Sequence, residues 1–292
     1  MISLRELARL VAEHGDALDR PVAPFLGLAG PALMGVVNLS RDSWYRESVA
    51  TTTEAATRRG RVLAAQGAHV VDVGAESVVD GAERVEAEEQ SRRLVPVIEE
   101  LSADGIAVSV ESYHPRTVEK ALAAGARVLN LTGSDRDEEM FDLAAAHGAA
   151  VVLCHIVGDH ARALSDRPVA DDPVPEMLEQ FEARLAVARA RGVEDLVVDP
   201  GIGFGFGWLA DPVERARYQA RSLLHTFRLR TLGVPVCHAL PSAMDVFGEE
   251  VRSSEGYFAV LAALGQTDVY RTHEVPRVRA VLEAMATFSV DP

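Results

Sequence analysis

Residues 196–205 have the sequence Leu196-Val197-Val198-Asp199-Pro200-Gly201-Ile202-Gly203-Phe204-Gly205. The apolar run predicts a buried strand, and Asp199 stands at its carboxyl end. Pro200 ends strand pairing, and the three glycines allow the backbone to approach another group closely. A carboxylate in that position can accept two parallel N–H bonds from a flat heterocycle. The alternative is that Asp199 caps the following helix.

Outside this stretch, apolar runs alternate with amphipathic helical stretches. The predicted strands are 33–37, 70–73, 107–110, 128–131, 150–153, 196–199, 234–240 and 268–271. The predicted helices are 54–66, 87–103, 115–124, 138–146, 174–190, 211–231, 254–264 and 275–288. Eight strand-helix units predict a single α/β domain of the closed (β/α)8 type, called a TIM barrel. A doubly wound open sheet is the alternative.

The N-terminal segment differs from this alternation. Ser3 and Glu6 form a capping-box pattern before apolar residues at helical spacing, which predicts a short amphipathic helix. We expect Leu4, Leu7 and Val11 to pack on the barrel or on a second subunit. The predicted organisation is therefore residues 1–31 as N-terminal helix and linker and residues 32–292 as the barrel.

Composition limits the possible partners. The net charge of -15 argues against a nucleic acid or an anionic membrane. Since there is neither a secretory signal pattern nor an apolar run of membrane-spanning length, we expect a cytoplasmic protein. The two cysteines, Cys154 and Cys237, each lie in an apolar strand-like run and are expected to be buried thiols.

In a barrel, chemistry takes place at the carboxyl ends of the strands. The polar residues predicted there are Asn38, Glu76, Glu111, Asn130, His155, Asp199, His238, Arg271 and His273. Asp72 and Glu76 are expected to support the barrel mouth. A metal-dependent hydrolase using His155, His238, His273 and Asp199 is one possible interpretation, although no His-x-His pair follows the first strand.

These strand-end motifs resemble those of dihydropteroate synthases, in the pterin-binding barrel group. The resemblance extends from about residue 32 to 285 and includes Met34–Trp44, Gly67–Ser77, Val108–Glu111, the unchanged turn Asp199–Gly205 and Tyr270–Val275. It implies that Glu111, Asn130 and Asp199, with Gly203 in the turn, hold a pterin. It also implies that Asn38, Arg271 and His273 bind a diphosphate leaving group, with Asn38 a possible ligand of Mg²⁺, and that the protein is a homodimer.

The departures from the family pattern concern the other substrate. Arg41 and Trp44 in the first loop, on either side of the retained Asp42, and Val78 and Val79 in the second loop predict a rebuilt second-substrate site. Glu111 is one methylene longer than the Asp of the family. Two family lysines have no counterpart, because Lys120 is the only lysine in the chain and belongs to a helix.

Four interpretations therefore remain besides the hydrolase. The first is a transferase that acts on a pterin or folate but not efficiently on 4-aminobenzoate. The others are a genuine dihydropteroate synthase, a non-catalytic pterin-binding paralogue, and a one-carbon transferase with a reduced folate as co-substrate.

Overall fold

The computed structural model describes residues 2–42, 45, 48–77, 82–164, 170–203, 209 and 211–288. Eight strands alternate with helices along these residues. The strands are β1 (Ala32–Asn38), β2 (Val70–Gly74), β3 (Val108–Ser112), β4 (Val128–Leu131), β5 (Ala150–Cys154), β6 (Leu196–Asp199), β7 (Cys237–Ala239) and β8 (Val269–Thr272). The helices are α1 (Leu4–His14), α2 (Thr53–Ala65), α3 (Ala87–Ala103), α4 (Pro115–Ala123), α5 (Asp137–His147), α6 (Val174–Ala190), α7 (Pro212–His225), α8 (Met244–Phe247), α9 (Val251–Leu264) and α10 (Val275–Thr287).

All eight strands are parallel and form one sheet in the order β6-β5-β4-β3-β2-β1-β8-β7. The sheet closes where Val198 pairs with Val236 and the amide of Val198 donates to the carbonyl of Pro235 at 3.0 Å. The (β/α)8 barrel predicted from the sequence is therefore confirmed, and the open doubly wound sheet is excluded.

Strand β7 is shorter than the predicted 234–240. Pro235 has no amide hydrogen, so it cannot donate to a neighbouring strand. The amide of Val236 donates to Oδ2 of Asp268 at 2.9 Å, so a side chain replaces part of the strand ladder there. These two features restrict regular pairing to Cys237–Ala239.

Side chains along the strands alternate between the barrel interior and the helical layer. The lower interior is apolar and includes Phe25 and nine strand residues: Ala32, Met34, Val70, Val128, Ala150, Val152, Val197, Cys237 and Val269. A larger apolar layer lies between the strands and the helices. Because the lower interior is filled with side chains, only its upper, carboxyl end is available for polar chemistry.

Helix α1 packs less closely than the sequence suggested. Its capping box is present, since Ser3 and Glu6 exchange side-chain and backbone hydrogen bonds. However, Leu4 is 85% exposed and Val11 is 47% exposed, so the expected burial of these two residues on the barrel is wrong. Leu7 and Leu10 are half-buried and contact the core instead. The domain division at residue 31 stays a prediction.

Candidate functional site

A layer of polar side chains fills the upper interior of the barrel. Because side chains alternate along each strand, every second residue points into the barrel. The strand register places Glu111 beside Asn130 and Asp199 beside Cys154. We call these residues the polar layer: Asp72, Ser109, Glu111, Asn130, Cys154, Asp199 and Arg271. Among its described members, Arg271 is the single cation facing three carboxylates, so the unliganded layer carries an excess of negative charge.

Arg271 lies inside the barrel rather than projecting freely at its rim. Its Nε donates to Oδ2 of Asp72 at 2.7 Å, and its Nη2 donates to Oε2 of Glu111 at 2.5 Å. The longer side chain of Glu111 is thus accommodated by pairing with a guanidinium. The sequence placed Arg271 with a diphosphate group, and the structure places it among the acids expected to bind the pterin.

Asp72 is the centre of this network, with no exposed surface. Besides Arg271, it accepts from the hydroxyl of Ser109 at 2.6 Å and from Nδ2 of Asn130 at 3.2 Å. The carbonyl oxygen Oδ1 of Asn130 accepts from the thiol of Cys154 at 3.6 Å. Asp72 therefore supports and orients Asn130, which was predicted to bind the pterin, and Arg271, which was predicted to bind the diphosphate. Cys154 and Cys237 are both buried free thiols, as predicted.

Asp199 ends β6 as predicted and is 4% exposed. Its Oδ1 accepts from the amide of Gly201 at 2.8 Å, so the following turn is folded around the carboxylate. Gly203 lies against β7, where an added Cβ would come within 2.7 Å of Cβ of Ala239. A side chain at Gly203 would push the turn away from the barrel, which gives this glycine a packing reason.

Burial controls the charge of the carboxylates of Asp199 and Glu111. Removal from water raises the pKa of Asp199 to about 6, against the opposing effects of the Gly201 amide and the Arg271 charge. Burial likewise raises the pKa of Glu111 to about 7, although Arg271 lowers it, and the neighbouring acids add to the rise. Both groups therefore titrate near neutral pH in the unliganded protein, where a ligand with N–H donors would favour their ionised forms.

At the rim, Asn38 and His273 are held by residues that the sequence analysis did not identify. Nδ2 of Asn38 donates to the hydroxyl of Ser48 at 2.7 Å. The His273 ring stacks on Tyr45, with ring centroids 4.7 Å apart, and its Nδ1 lies 2.8 Å from Oε1 of Glu255. Glu255 could have been found as a charged residue on the apolar stripe of α9, which otherwise buries Phe258, Ala259 and Ala262.

The first and second loops are joined by Asp42. Its Oδ2 accepts from the amide of Glu83 at 3.0 Å, and its carbonyl accepts from the hydroxyl of Ser77 at 3.1 Å. Arg41 is exposed beside it. A polar cavity of about 470 Å³ adjoins both loops and is lined by Leu39, Ser40, Arg41, Asp42, Thr51, Thr52, Thr53, Glu83, Val85, Glu89, Arg92 and Arg93. Trp44, Val78 and Val79 lie outside the described residues.

Glu76 supports the mouth from the second strand. Its Oε2 accepts from the hydroxyl of Tyr113 at 2.5 Å, and its Oε1 accepts from the amide of Val85 at 3.1 Å. These contacts join the loops that follow β2 and β3.

The hydrolase interpretation fails on geometry. His238 faces the helical layer, where its Nε2 lies 2.6 Å from the hydroxyl of Thr226, and burial lowers its pKa to about 3. Nδ1 of His155 is bound to Oε1 of Gln180 at 2.5 Å. Within the described ranges, no group of three or more His, Cys, Asp or Glu side chains is arranged to hold a metal ion. The expected role of Asn38 as a ligand of Mg²⁺ stays a prediction, and we assign no step to magnesium.

Comparison with known proteins gives the family. Residues 34–273 match the family model described as pterin binding enzyme. The dihydropteroate synthase of Mycobacterium leprae is 35% identical over 269 residues, which cover 89% of this chain and 93% of that protein. This chain belongs to the dihydropteroate synthase family. A probable bifunctional folylpolyglutamate synthase/dihydropteroate synthase of Haloferax volcanii is 30% identical over 94% of this chain, which spans only 32% of that longer protein.

A solved dihydropteroate synthase gives the same result for the fold. The Xanthomonas albilineans enzyme in complex with 7,8-dihydropteroate aligns with a TM-score of 0.71 and 29% identity, covering 94% of this chain and 96% of that one. The two lysines that the resemblance implies have no counterpart in this chain. The single lysine, Lys120, lies on α4 and pairs with Glu88 at 2.7 Å, far in sequence from either expected position.

None of the helices in the described ranges is long and apolar enough to cross a membrane.

Proposed function

We propose that this protein binds a 6-substituted pterin in the polar layer and acts as a transferase of the dihydropteroate synthase type with a different second substrate. The observation that carries the proposal is the convergence of Asp199, Asn130 and Glu111 in one buried layer above an apolar barrel floor. Such a layer offers acceptors for the donor groups of a 2-amino-4-oxo ring and one amide for its acceptors. The family membership supports the same ligand class.

The chemistry of this proposal is a substitution at the pterin methylene. The bond between the methylene carbon and a diphosphate oxygen breaks, and the diphosphate leaves with the bonding electrons. A bond from the methylene carbon to the nitrogen of the second substrate forms, and that nitrogen loses a proton to solvent. Asn38, Arg271 and His273 would stabilise the leaving oxygens, since donors fixed in advance lower the cost of developing charge.

Arg271 would have two functions in this scheme. In the unliganded protein it pairs with Asp72 and Glu111, whose oxygens lie 2.7 and 2.5 Å from its nitrogens. Since the chain has no counterpart of the two family lysines, this one positive charge compensates only part of the negative charge of the layer. A guanidinium held by two carboxylates is less free to follow a leaving group, which supports weaker synthase activity.

The second substrate would enter beside the cavity at the first and second loops. Arg41 adds a positive charge there, and Asp42 fixes the two loops to each other. This arrangement suits an amine or a folate-like molecule with an acidic tail. One-carbon transfer from a reduced folate is included in the proposal as the chemistry to test when an arylamine does not react.

A genuine dihydropteroate synthase is the second candidate. It is favoured by relatives of that name in Bacillus subtilis and Mycobacterium leprae, at 28% and 35% identity. A non-catalytic pterin-binding paralogue would share the ligand but show no turnover with any amine.

We also propose a cytoplasmic homodimer that pairs through barrel helices. Exposed apolar side chains on α9, namely Tyr257, Val260 and Leu264, support this arrangement. Sedimentation velocity of the wild type and of Leu264→Glu tests the oligomeric state, and a monomeric wild type would contradict it.

The ligand proposal is tested by calorimetry with 6-hydroxymethylpterin. Asp199→Asn should weaken binding by about 1–3 kcal/mol, because a charge-assisted hydrogen bond is lost. Asp195→Asn is the matched control, since Asp195 is exposed immediately before the same strand and its substitution changes the net charge equally. Absence of binding by the wild type at millimolar pterin would overturn the proposal.

A further inference from the structure

Glu255 is a fully buried carboxylate that no part of the proposed pterin site uses directly. It lies on α9, and four donors surround it. Its Oε2 accepts from the hydroxyl of Thr272 and from the amides of His273 at 3.0 Å and Glu274 at 3.2 Å. Its Oε1 lies 2.8 Å from Nδ1 of His273. One carboxylate thus fixes three consecutive residues at the end of β8.

The charge of Glu255 has one possible counter-ion nearby. Within the described ranges, His273 is the one basic side chain that comes within 4.0 Å of this carboxylate. A buried carboxylate is strongly destabilised unless it is paired and hydrogen-bonded. The three other donors satisfy its hydrogen-bonding capacity but carry no charge. Because a carboxylate oxygen only accepts hydrogen bonds, the contact at 2.8 Å places a ring proton of His273 on Nδ1.

The His273 ring is also fixed on its face. Tyr45 stacks on it at an interplanar angle of 18°, and the Tyr45 hydroxyl donates to Oε1 of Glu274. Glu274 is itself held by Arg252 at 3.1 Å and Arg277 at 3.0 Å. With Nδ1 facing Glu255, Nε2 is the ring nitrogen that makes no hydrogen bond within the described part of the chain and is left for a ligand.

We propose that Glu255 is a positioning residue that fixes a proton on Nδ1 of His273, so that Nε2 is the ring nitrogen that shares a proton with an anionic substrate group. The inference rests on the proposed function, because the anion is the diphosphate of a pterin substrate. It gives the rim an oriented hydrogen-bonding group for an anion, where the family lysines have no counterpart. Glu255 acts through His273 and does not itself contact the substrate.

The first test uses the wild-type protein alone and needs neither ligand nor activity. Nitrogen-15 NMR of histidine-labelled protein separates Nδ1–H, Nε2–H and doubly protonated rings by the shifts of the two nitrogens. The His273 signals are assigned as those lost in His273→Gln. Above pH 8 we expect a protonated Nδ1 and an unprotonated Nε2. A ring protonated on Nε2 alone would overturn the inference.

The second test is a double-mutant cycle with two ligands. Calorimetry compares 6-hydroxymethylpterin with 6-hydroxymethyl-dihydropterin diphosphate for the wild type, Glu255→Gln, His273→Gln and the double variant. Glu255→Gln should weaken the diphosphate ligand by about 10–100-fold, as when the carboxylate partner of a ligating histidine is removed. Binding of 6-hydroxymethylpterin should stay unchanged. In the His273→Gln background the Glu255 effect should vanish.

Thr272→Val is the matched control, because it removes another donor to the same carboxylate and leaves the His273 contact in place. Thr272→Val should retain diphosphate affinity within about threefold. A purely structural role of Glu255 would instead make both Thr272→Val and Glu255→Gln weaken the binding of both ligands. Should Glu255→Gln not fold, Glu255→Asp takes its place in the cycle. Equal affinity of the diphosphate ligand for wild type and the Glu255 variant would overturn the inference. Failure of the wild type to bind either ligand would overturn the proposed function, and the NMR result would then decide on Glu255 by itself.

Discussion

Arg271 and Asp72 form an ion pair inside the barrel, with Nε of the guanidinium 2.7 Å from Oδ2 of a carboxylate that has no exposed surface. The two residues lie on strands β8 and β2, which are separated by β1. The pair therefore crosses the upper barrel beneath the mouth. Glu111 and Asn130 are both bound to it, so the position of each predicted pterin residue on this side depends on the pair.

Removal of either member of this ion pair should lower the stability of the folded protein. We expect Arg271→Ala to lower the free energy of unfolding by about 3–5 kcal/mol, because Asp72 and Glu111 would be left buried without a counter-ion. Urea unfolding followed by circular dichroism measures this change. Arg217→Ala is the control, since Arg217 forms an exposed pair with Glu214 and should change stability by less than about 1 kcal/mol. Equal effects of the two substitutions would contradict the role assigned to Arg271.

Asp199 should reduce the stability of the unliganded protein at high pH. Its folded-state pKa of about 6 lies above the ordinary value of 3.8, so its contribution to stability is present below about pH 4 and is lost as the pH rises through about 6. Asp199→Asn removes this effect and should stabilise the unliganded protein by about 1–3 kcal/mol at pH 8. The gain should shrink at pH 5. Urea unfolding at both pH values measures it, and a variant less stable than wild type at pH 8 would refute the expectation.

Pterin affinity should rise with pH, whereas the contribution of Asp199 to the stability of the unliganded protein should fall with pH. The donors of the ring require ionised carboxylates, and burial raises the pKa of Asp199 to about 6 and that of Glu111 to about 7. Affinity should therefore be highest above about pH 7 and fall by roughly tenfold per pH unit for each carboxylate that must lose a proton. Calorimetry between pH 5 and pH 7.5 measures this slope. Asp199→Asn should show a shallower slope, and a flat wild-type profile would contradict the proposed binding mode.

Activity on 4-aminobenzoate should be weak. Each donor lost from a site that stabilises a leaving oxygen typically costs a few kcal/mol, and both family lysines are absent. A coupled assay with dihydropterin diphosphate and 4-aminobenzoate measures turnover, and complementation of a synthase-deficient strain measures it in cells. The dihydropteroate synthase of Escherichia coli, 28% identical to this chain, is the positive control. Robust turnover or growth would establish the second candidate.

The sequence by itself determined the barrel and the place of its chemistry. Apolar runs and amphipathic stretches are local patterns. The spacing of apolar residues along the chain is therefore enough to predict the eight strand-helix units and most of their boundaries. The carboxyl ends of β3, β4 and β6 could be located in the same way, and Glu111, Asn130 and Asp199 stand there. Where a side chain interrupts the strand ladder, as Asp268 does near β7, the local pattern fails and the predicted strand is too long.

Tertiary structure alone decided which way the polar side chains point and what they bind. A strand buried on both faces is apolar on both, so its sequence does not show whether Cys237 or His238 faces the interior. Closure of the barrel determines which of these two side chains faces the interior, and His238 faces the helical layer. The same closure brings Arg271 to Asp72 and Glu111, and packing of α9 brings Glu255 to His273. These contacts join residues far apart in the chain, and their distances depend on the register of the closed sheet rather than on any local pattern.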